Sequence, residues 1–176
     1  MRSRGPLLDA DEIRELLIAL GARLERRGIE ARLFLVGGAA MALAFTRRRV
    51  TRDLDAVFEP KSEIYEEAAA LARERGLPEG WLNDGVKRLL PDKAAPVEGQ
   101  ASFVAPGIRV GVASAEYLFA MKAAAARQET DGEDLRVLAA ALGLTSARQA
   151  LDLVDRFYGS NRLTTKTQLI IEDLFA

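Results

Sequence analysis

The sequence predicts an α/β (α+β) chain: a mixed sheet flanked by helices, followed by a helical C-terminal third. Three observations carry this. A short apolar run, ARLFLV (31–36), and an alternating run, RDLDAVFEP (52–60), read as strands set between helical segments. QASFVAP (100–106) and IRVGVA (108–113) read as two more strands, joined by the turn dipeptide Pro106-Gly107. From Ser114 onward, helix-start residues recur and strand patterns stop. The expected division is an α/β core over 1–112 and a helical portion over 113–176 that packs on it.

Residues 9–28 have the pattern of an amphipathic helix. Asp9 caps it and Glu12 completes a capping box. Ile13, Leu16, Leu17, Leu20 and Leu24 recur on one side, and Gly28 ends it. Gly37-Gly38 breaks the strand that follows, and AAMALAF (39–45) is a short, nearly all-apolar helix. In the second strand Leu54, Ala56 and Phe58 fall on one face, and Asp53, Asp55 and Val57 on the other. Residues 62–76 form a helix with Ser62 as its cap and Gly76 at its end. LPEGWLNDG (77–85) has turn chemistry around Trp81, which is read as core or a packing lid. The rear third carries Ser114 capping a helix to about Gln128. It also carries Thr130–Glu133 and Ser146–Gln149 boxes for helices ending at Gly143 and near Gly159, and Thr165–Gln168 opening the last.

Composition narrows the chemistry. A chain of 176 residues with 49% hydrophobic and 29% charged residues is an ordinary globular balance, long enough to build a core. It contains neither cysteine nor histidine, which excludes disulfides, thiolate or imidazole metal sites, and histidine bases. Any metal is then held by oxygen, which favours magnesium or manganese over zinc. A formal net charge of −1 supplies no global field toward nucleic acid. Arg47, Arg48, Arg49 and Arg52 are a local basic cluster: a solvated loop, or a contact for RNA backbone or triphosphate. No membrane span and no secretory-signal pattern stands out, so cytoplasm is the expected location.

The candidate site is LVGGAAMAL followed by TRDLDAVF. Two glycines after a strand permit backbone conformations closed to other residues. They also let a phosphate approach main-chain N–H groups at a helix N-terminus, where the dipole favours an anion. Two carboxylates at i and i+2 of a strand point the same way and suit divalent ions of the kind that clamp transferring phosphoryl groups. Taken singly, Gly-Gly is a turn and D-x-D an exposed strand face. In this order, separated by one short apolar helix, they call for a joint explanation. Downstream, Lys122 stands in the otherwise apolar YLFAMKAAAAR, either snorkelling to solvent or charged for a purpose. Arg127 is a helix-end cation or an anion's partner, and Asp131 and Asp134 suit the first turn of a helix.

The pattern G-G, then about a dozen residues, then T-R-D-L-D resembles the nucleotidyltransferase superfamily with its polymerase-β-like core. More narrowly it is similar to bacterial toxins of the AbiEii type and a related group of uncharacterised nucleotidyltransferase-like domains. The similar stretches are LVGGAAMAL (35–43), TRDLDAVF (51–58), WLNDGVKRLLP (81–91), residues 113–144 and the tail 151–168. The resemblance implies a nucleotidyltransferase-like fold and transfer of a nucleoside monophosphate from a nucleoside triphosphate (NTP) to a hydroxyl of RNA, such as tRNA, or of a protein. It also implies a toxin role opposed by an antitoxin protein. By the same resemblance Gly37 and Gly38 bind the triphosphate, and Asp53 and Asp55 hold Mg2+ (or Mn2+). Thr51 and Arg52 immediately precede the acidic pair, Lys122 lies near the triphosphate, and either Asp131 or Asp134 is a downstream acid. One departure stands out. Active members of the superfamily usually carry a third carboxylate on a neighbouring strand, whereas QASFVAP and IRVGVA contain no acid, and Asp84 and Glu98 lie outside them. An alternative function follows from that departure: an inactive nucleotide- or partner-binding module of the same fold.

Overall fold

Asp9 opens the first helix through a complete capping box. Its side chain accepts from the Glu12 N–H at 2.9 Å, and the Glu12 carboxylate accepts from the Asp9 N–H at 2.8 Å. The helix, α1 (Ala10–Arg26), buries Ile13, Leu16, Leu17, Leu20 and Leu24, the side predicted from spacing, together with Gly21. The computed structural model describes residues 5–176, with Gln128 described by its backbone alone. The protein is mixed α/β: a five-stranded open mixed sheet, helices against it, and a helical C-terminal part. Two compact units contain this chain: residues through Lys87 with Glu98–Val112, and Arg88–Val97 with Ala113–Ala176.

In the first unit the sheet runs β3-β2-β1-β5-β4, with β1 Ala31–Leu35, β2 Leu54–Glu59, β3 Leu82–Asn83, β4 Phe103–Ala105 and β5 Ile108–Val112. β1 pairs antiparallel to β2 and parallel to β5, β3 parallel to β2, and β4 antiparallel to β5. The register places Leu33 beside Phe58 and Val110, and Leu35 beside Ala56 and Val112. All of these are buried and form the core face of the sheet. α1 packs on β5 so tightly that a Cβ at Gly21 would stand 2.5 Å from the Ile108 side chain and 2.6 Å from the Pro106 carbonyl. α3 (Lys61–Arg75) lies beside α1, pinned by Arg23 to Glu67 and Glu74 and by Arg27 to Glu66 and Glu67. Trp81 is core: it is fully buried and its indole N–H donates to the Ala68 carbonyl at 2.9 Å.

The second unit gathers α4 (Ala115–Ala125), α5 (Gln128–Ala141), α6 (Ala147–Tyr158) and α7 (Thr165–Leu174). α4 is buried from Tyr117 to Ala123 and contacts each of the other three. The Tyr117 and Phe157 rings meet edge to face at 5.7 Å. Residues 88–97 join this unit because Tyr158 donates its hydroxyl to the Leu89 carbonyl at 2.5 Å and Lys93 donates its N–H to the Phe157 carbonyl.

Several helix starts differ from expectation. α3 begins at Lys61 after Pro60, so Ser62 lies inside the first turn and caps nothing. α5 begins at Gln128 after Arg127, which puts Thr130 within the helix, its hydroxyl turned to the Arg127 carbonyl. Thr164, not Thr165, caps α7. Ser146 does cap α6, but the Gln149 side chain reaches back to Thr145 rather than closing a box on Ser146. At α3 and α7 the preceding residue, Pro60 or Thr164, already has the extended backbone that a cap requires.

Candidate functional site

The site begins where β1 stops. Val36 closes the strand by donating its N–H to the Asp55 carbonyl at 3.0 Å, and α2 (Gly37–Ala44) starts at once. The helix therefore includes both glycines rather than following them. Gly37 has φ +62°, in the left-handed region that a side chain disfavours. Space matters as much as φ. A Cβ on Gly37 would sit 3.2 Å from Asp55 Oδ2, and one on Gly38 would sit 3.0 Å from Thr51 Oγ1. Thr51 and Asp55 thus lie directly against the glycine turn. The Arg49 Nε is 3.8 Å from the same Gly38 position, so Arg49 leaves its neighbours in the basic run and approaches the turn.

Asp55 lies within β2 and is half-buried, with Leu54, Ala56 and Phe58 buried on the opposite face as alternation predicts. Asp53 does not lie in the strand: β2 begins at Leu54, and Asp53 is exposed in the bend before it. It is nonetheless held. The Thr51 hydroxyl donates to the Asp53 carbonyl at 2.9 Å, and Asn83 Nδ2 is 3.5 Å from Asp53 Oδ2. Asn83 pairs with Asp55 across the parallel β2–β3 ladder and shares its face of the sheet. Asp53 therefore reaches the Asp55 side by its contact with Asn83 rather than by strand alternation. Thr51 is itself anchored by a bridge to Leu8, and the Arg52 guanidinium donates to the Gly5 carbonyl at 3.2 Å.

The two acids outside the predicted strands have different surroundings. Asp84 follows Asn83 and faces Tyr65, Lys61 and Lys87 at 2.6, 2.7 and 2.9 Å. The hydrogen bond from Lys61, then those from Tyr65 and Lys87, hold its carboxyl well below the usual carboxylate range. Its partner Tyr65 meets the ring of Phe58, which is on the face of β2 opposite Asp55. Glu98 lies against β5: a Cβ at Gly111 would meet Glu98 Oε1 at 2.7 Å. Gly111 pairs with Phe34, which pairs with Val57, two residues from Asp55 on the same strand face. An acid thus comes to the Asp55 face from a loop, over a glycine that leaves it room. Its ion pair with Arg109 Nη2 is long at 3.7 Å.

In the second unit, Lys122, Asp131, Asp134 and Arg127 form one network. Lys122 does not snorkel; it is 6% exposed and its ammonium is 2.8 Å from Asp131 Oδ1 and 2.9 Å from Asp134 Oδ2. Arg127 Nε reaches Asp131 Oδ2 at 3.2 Å from the surface. Spacing alone left Asp131 and Asp134 undecided; three residues apart on α5, both turn to the same lysine. The chain enters α5 through Ala126, whose φ of +53° is left-handed for a residue with a Cβ. That conformation costs about 1–2 kcal/mol and is held by the Ala126 N–H on the Lys122 and Ala123 carbonyls.

A divalent ion suits the first site on its donors. One carboxylate at the glycine turn and a second beside Asn83, without nitrogen or sulfur ligands, match a magnesium ion completed by waters and substrate phosphate oxygens. They do not match an all-protein cage, and among the described residues no group of three or more acidic ligands is arranged to hold a metal. No helix among the described residues is long and apolar enough to cross a membrane. The chain matches no protein-family model, and neither a curated protein nor a solved structure matches it.

Proposed function

We propose that the protein is a magnesium-dependent nucleotidyltransferase that moves a nucleoside monophosphate from an NTP to a hydroxyl of RNA, such as tRNA, or of a protein. The observation that supports this best is the contact of the Gly37-Gly38 turn with Asp55 and Thr51. The backbone N–H groups at the start of α2 and a carboxylate are thereby side by side in one unit. In the proposed reaction the acceptor hydroxyl oxygen bonds to the α-phosphorus, the bond from that phosphorus to the bridging oxygen breaks, and pyrophosphate leaves with the electron pair. The hydroxyl proton passes to a base, for which Glu98 on the Asp55 face is the available carboxylate. A bound divalent ion would supply neutralisation of phosphate charge. Asp53 and Asp55 would hold it, the Gly37 and Gly38 amides would orient the phosphates, and Arg49 stands near enough to the turn to add positive charge. The roles of Lys122, Asp131 and Asp134 in substrate handling rest on the resemblance of their motif, as do a toxin role and an antitoxin partner; Arg127 as an anion contact rests on its charge at a helix end, and cytoplasmic action on the sequence pattern.

The test is incubation with labelled NTPs, Mg2+ or Mn2+, and total RNA or lysate. Incorporation that disappears with Asp55→Ala supports transfer. Absence of incorporation under conditions where the chain is folded, or wild-type incorporation by Asp55→Ala, overturns it. A second reading, a module that binds NTP without turnover, is favoured by the lack of an acid on the strands beside β2 and β1. Tight NTP binding without pyrophosphate release would select it.

A further inference from the structure

We propose that Asn83 is a positioning residue for the Asp53 carboxylate, an inference that rests on the metal-holding role proposed above. Asp53 lies outside β2 and lacks the strand's own control of side-chain direction. Something else must aim it. Asn83 is paired in register with Asp55 and so begins on the correct face. Its amide orientation is decided by a neighbour: the Gly85 N–H, a donor, is 3.1 Å from Asn83 Oδ1. Only the amide oxygen can accept that bond, so the NH2 group is turned the other way, where Asp53 Oδ2 lies at 3.5 Å. That distance is the outer limit of a hydrogen bond, so the donor steers the carboxylate without locking it. Together with the Thr51 hydroxyl on the Asp53 carbonyl, Asn83 holds backbone and side chain of the bend from two sides. The two-residue strand β3 places this one amide beside both acids.

The experiment is calorimetric titration of the full chain with Mn2+ alone, beside thermal unfolding without metal. The variants are Asp53→Asn, Asn83→Ala, Asn83→Asp and the double variant Asn83→Asp/Asp53→Asn. Asn83→Ala should weaken Mn2+ binding about tenfold, the lower end of what loss of a ligand's orienting partner costs. Asn83→Asp keeps an acceptor for the Gly85 N–H but replaces the donor to Asp53 with a like charge. Its metal-free Tm should fall below wild type, recover when Asp53 is also neutralised, and rise more than wild type when Mn2+ is added. The inference is overturned if Asn83→Asp has the wild-type Tm in both backgrounds and the wild-type response to Mn2+. Should Asn83→Ala fail to fold, Asn83→Asp decides by those same readings. If wild type binds no Mn2+, the metal-holding reading fails, and the metal-free cycle between positions 83 and 53 still decides whether Asn83 governs Asp53.

Discussion

The chain carries two pairs of closely spaced aspartates in opposite settings. Asp55 borders a glycine turn and is half-buried, while Asp53 is exposed in the bend before it with the Asn83 amide beside it. Asp131 and Asp134 are 4% and 3% exposed and share one buried ammonium. The second pair is neutralised by Lys122 and Arg127, so its charges are satisfied by the protein itself. The first pair is more exposed, and Asp55 adjoins the start of a helix at the glycine turn, which suits carboxylates that take a ligand. The difference teaches that D-x-D or D-x-x-D spacing says little by itself; what lies opposite the acids decides whether they bind or brace.

The sharpest way to break the comparison is to remove Lys122. Lys122→Met leaves two buried carboxylates without their ammonium, and breaking such a pair costs about 3–5 kcal/mol. Urea unfolding followed by tryptophan-independent circular dichroism should show this loss. Replacing Lys122, Asp131 and Asp134 together with Met, Leu and Leu should recover much of it, since apolar replacement of a whole buried ion cluster is often neutral. A loss under 1 kcal/mol in the single variant would mean that the cluster is solvated and the two aspartate pairs are not opposites.

The next effect belongs to the first pair and should appear in activity, not stability. Asp55→Asn removes charge beside the glycine turn, and a metal site contributes several kcal/mol to phosphoryl chemistry, so incorporation of labelled nucleotide should fall about a hundredfold or more. The urea midpoint should change by less than it does for Lys122→Met, because Asp55 is half-buried rather than enclosed. A large destabilisation with unchanged specific activity would reverse the roles assigned to the two pairs.

Smaller again is Gly37→Ala. A left-handed φ costs about 1–2 kcal/mol for a residue with a Cβ, and the new methyl would press on Asp55 Oδ2 at 3.2 Å. Stability should drop by that amount, and Mn2+ affinity, read by calorimetry, should weaken as Asp55 is displaced. Unchanged affinity would separate the turn from the acid.

Much of this was legible from residue patterns, and the parts that were not share a cause. α1, its capping box, the buried face of β2 and the glycine break are local, and local spacing carries them. Asn83 was hidden because β3 is two residues long and its meaning comes from pairing with β2, nearly thirty residues earlier. LNDG read as turn chemistry because Asn, Asp and Gly favour turns; only the fold shows Asn83 beside Asp53 and Asp84 against Tyr65. Glu98 was set aside for lying outside a strand, although Gly111 in IRVGVA, a glycine inside a strand, was the available signal that another group approaches closely. The Lys122 cluster depends on the reversal at Ala126, a left-handed residue that is not glycine and therefore leaves no mark in the sequence. The Thr130 box misled because it has the right composition one turn too late.

Asp84 offers the smallest effect and a check on the logic of both pairs. It lies in the first unit, like Asp55, yet is held by partners, like Asp131: Lys61, Lys87 and Tyr65 all contact its carboxyl. The lysines are about half exposed, so each pair is worth little and Asp84→Asn should cost about 1 kcal/mol near neutral pH. Because the folded-state pKa is depressed, the folded protein binds fewer protons than the unfolded chain, and the stabilisation is complete above the unfolded value of about 4. It shrinks as pH falls below that value and vanishes only once the pH passes the lower folded-state value. Unfolding midpoints of wild type and Asp84→Asn, measured from pH 7 to pH 2, should therefore converge on the acid side and run parallel above pH 5. A difference that stays constant down to pH 2 would show that the Tyr65 contact, which an amide can keep, and not the charge, defines the site. In that case partner geometry would outrank charge at Asp84, and the contrast between the exposed and the buried aspartate pairs would have to be redrawn on hydrogen bonds alone.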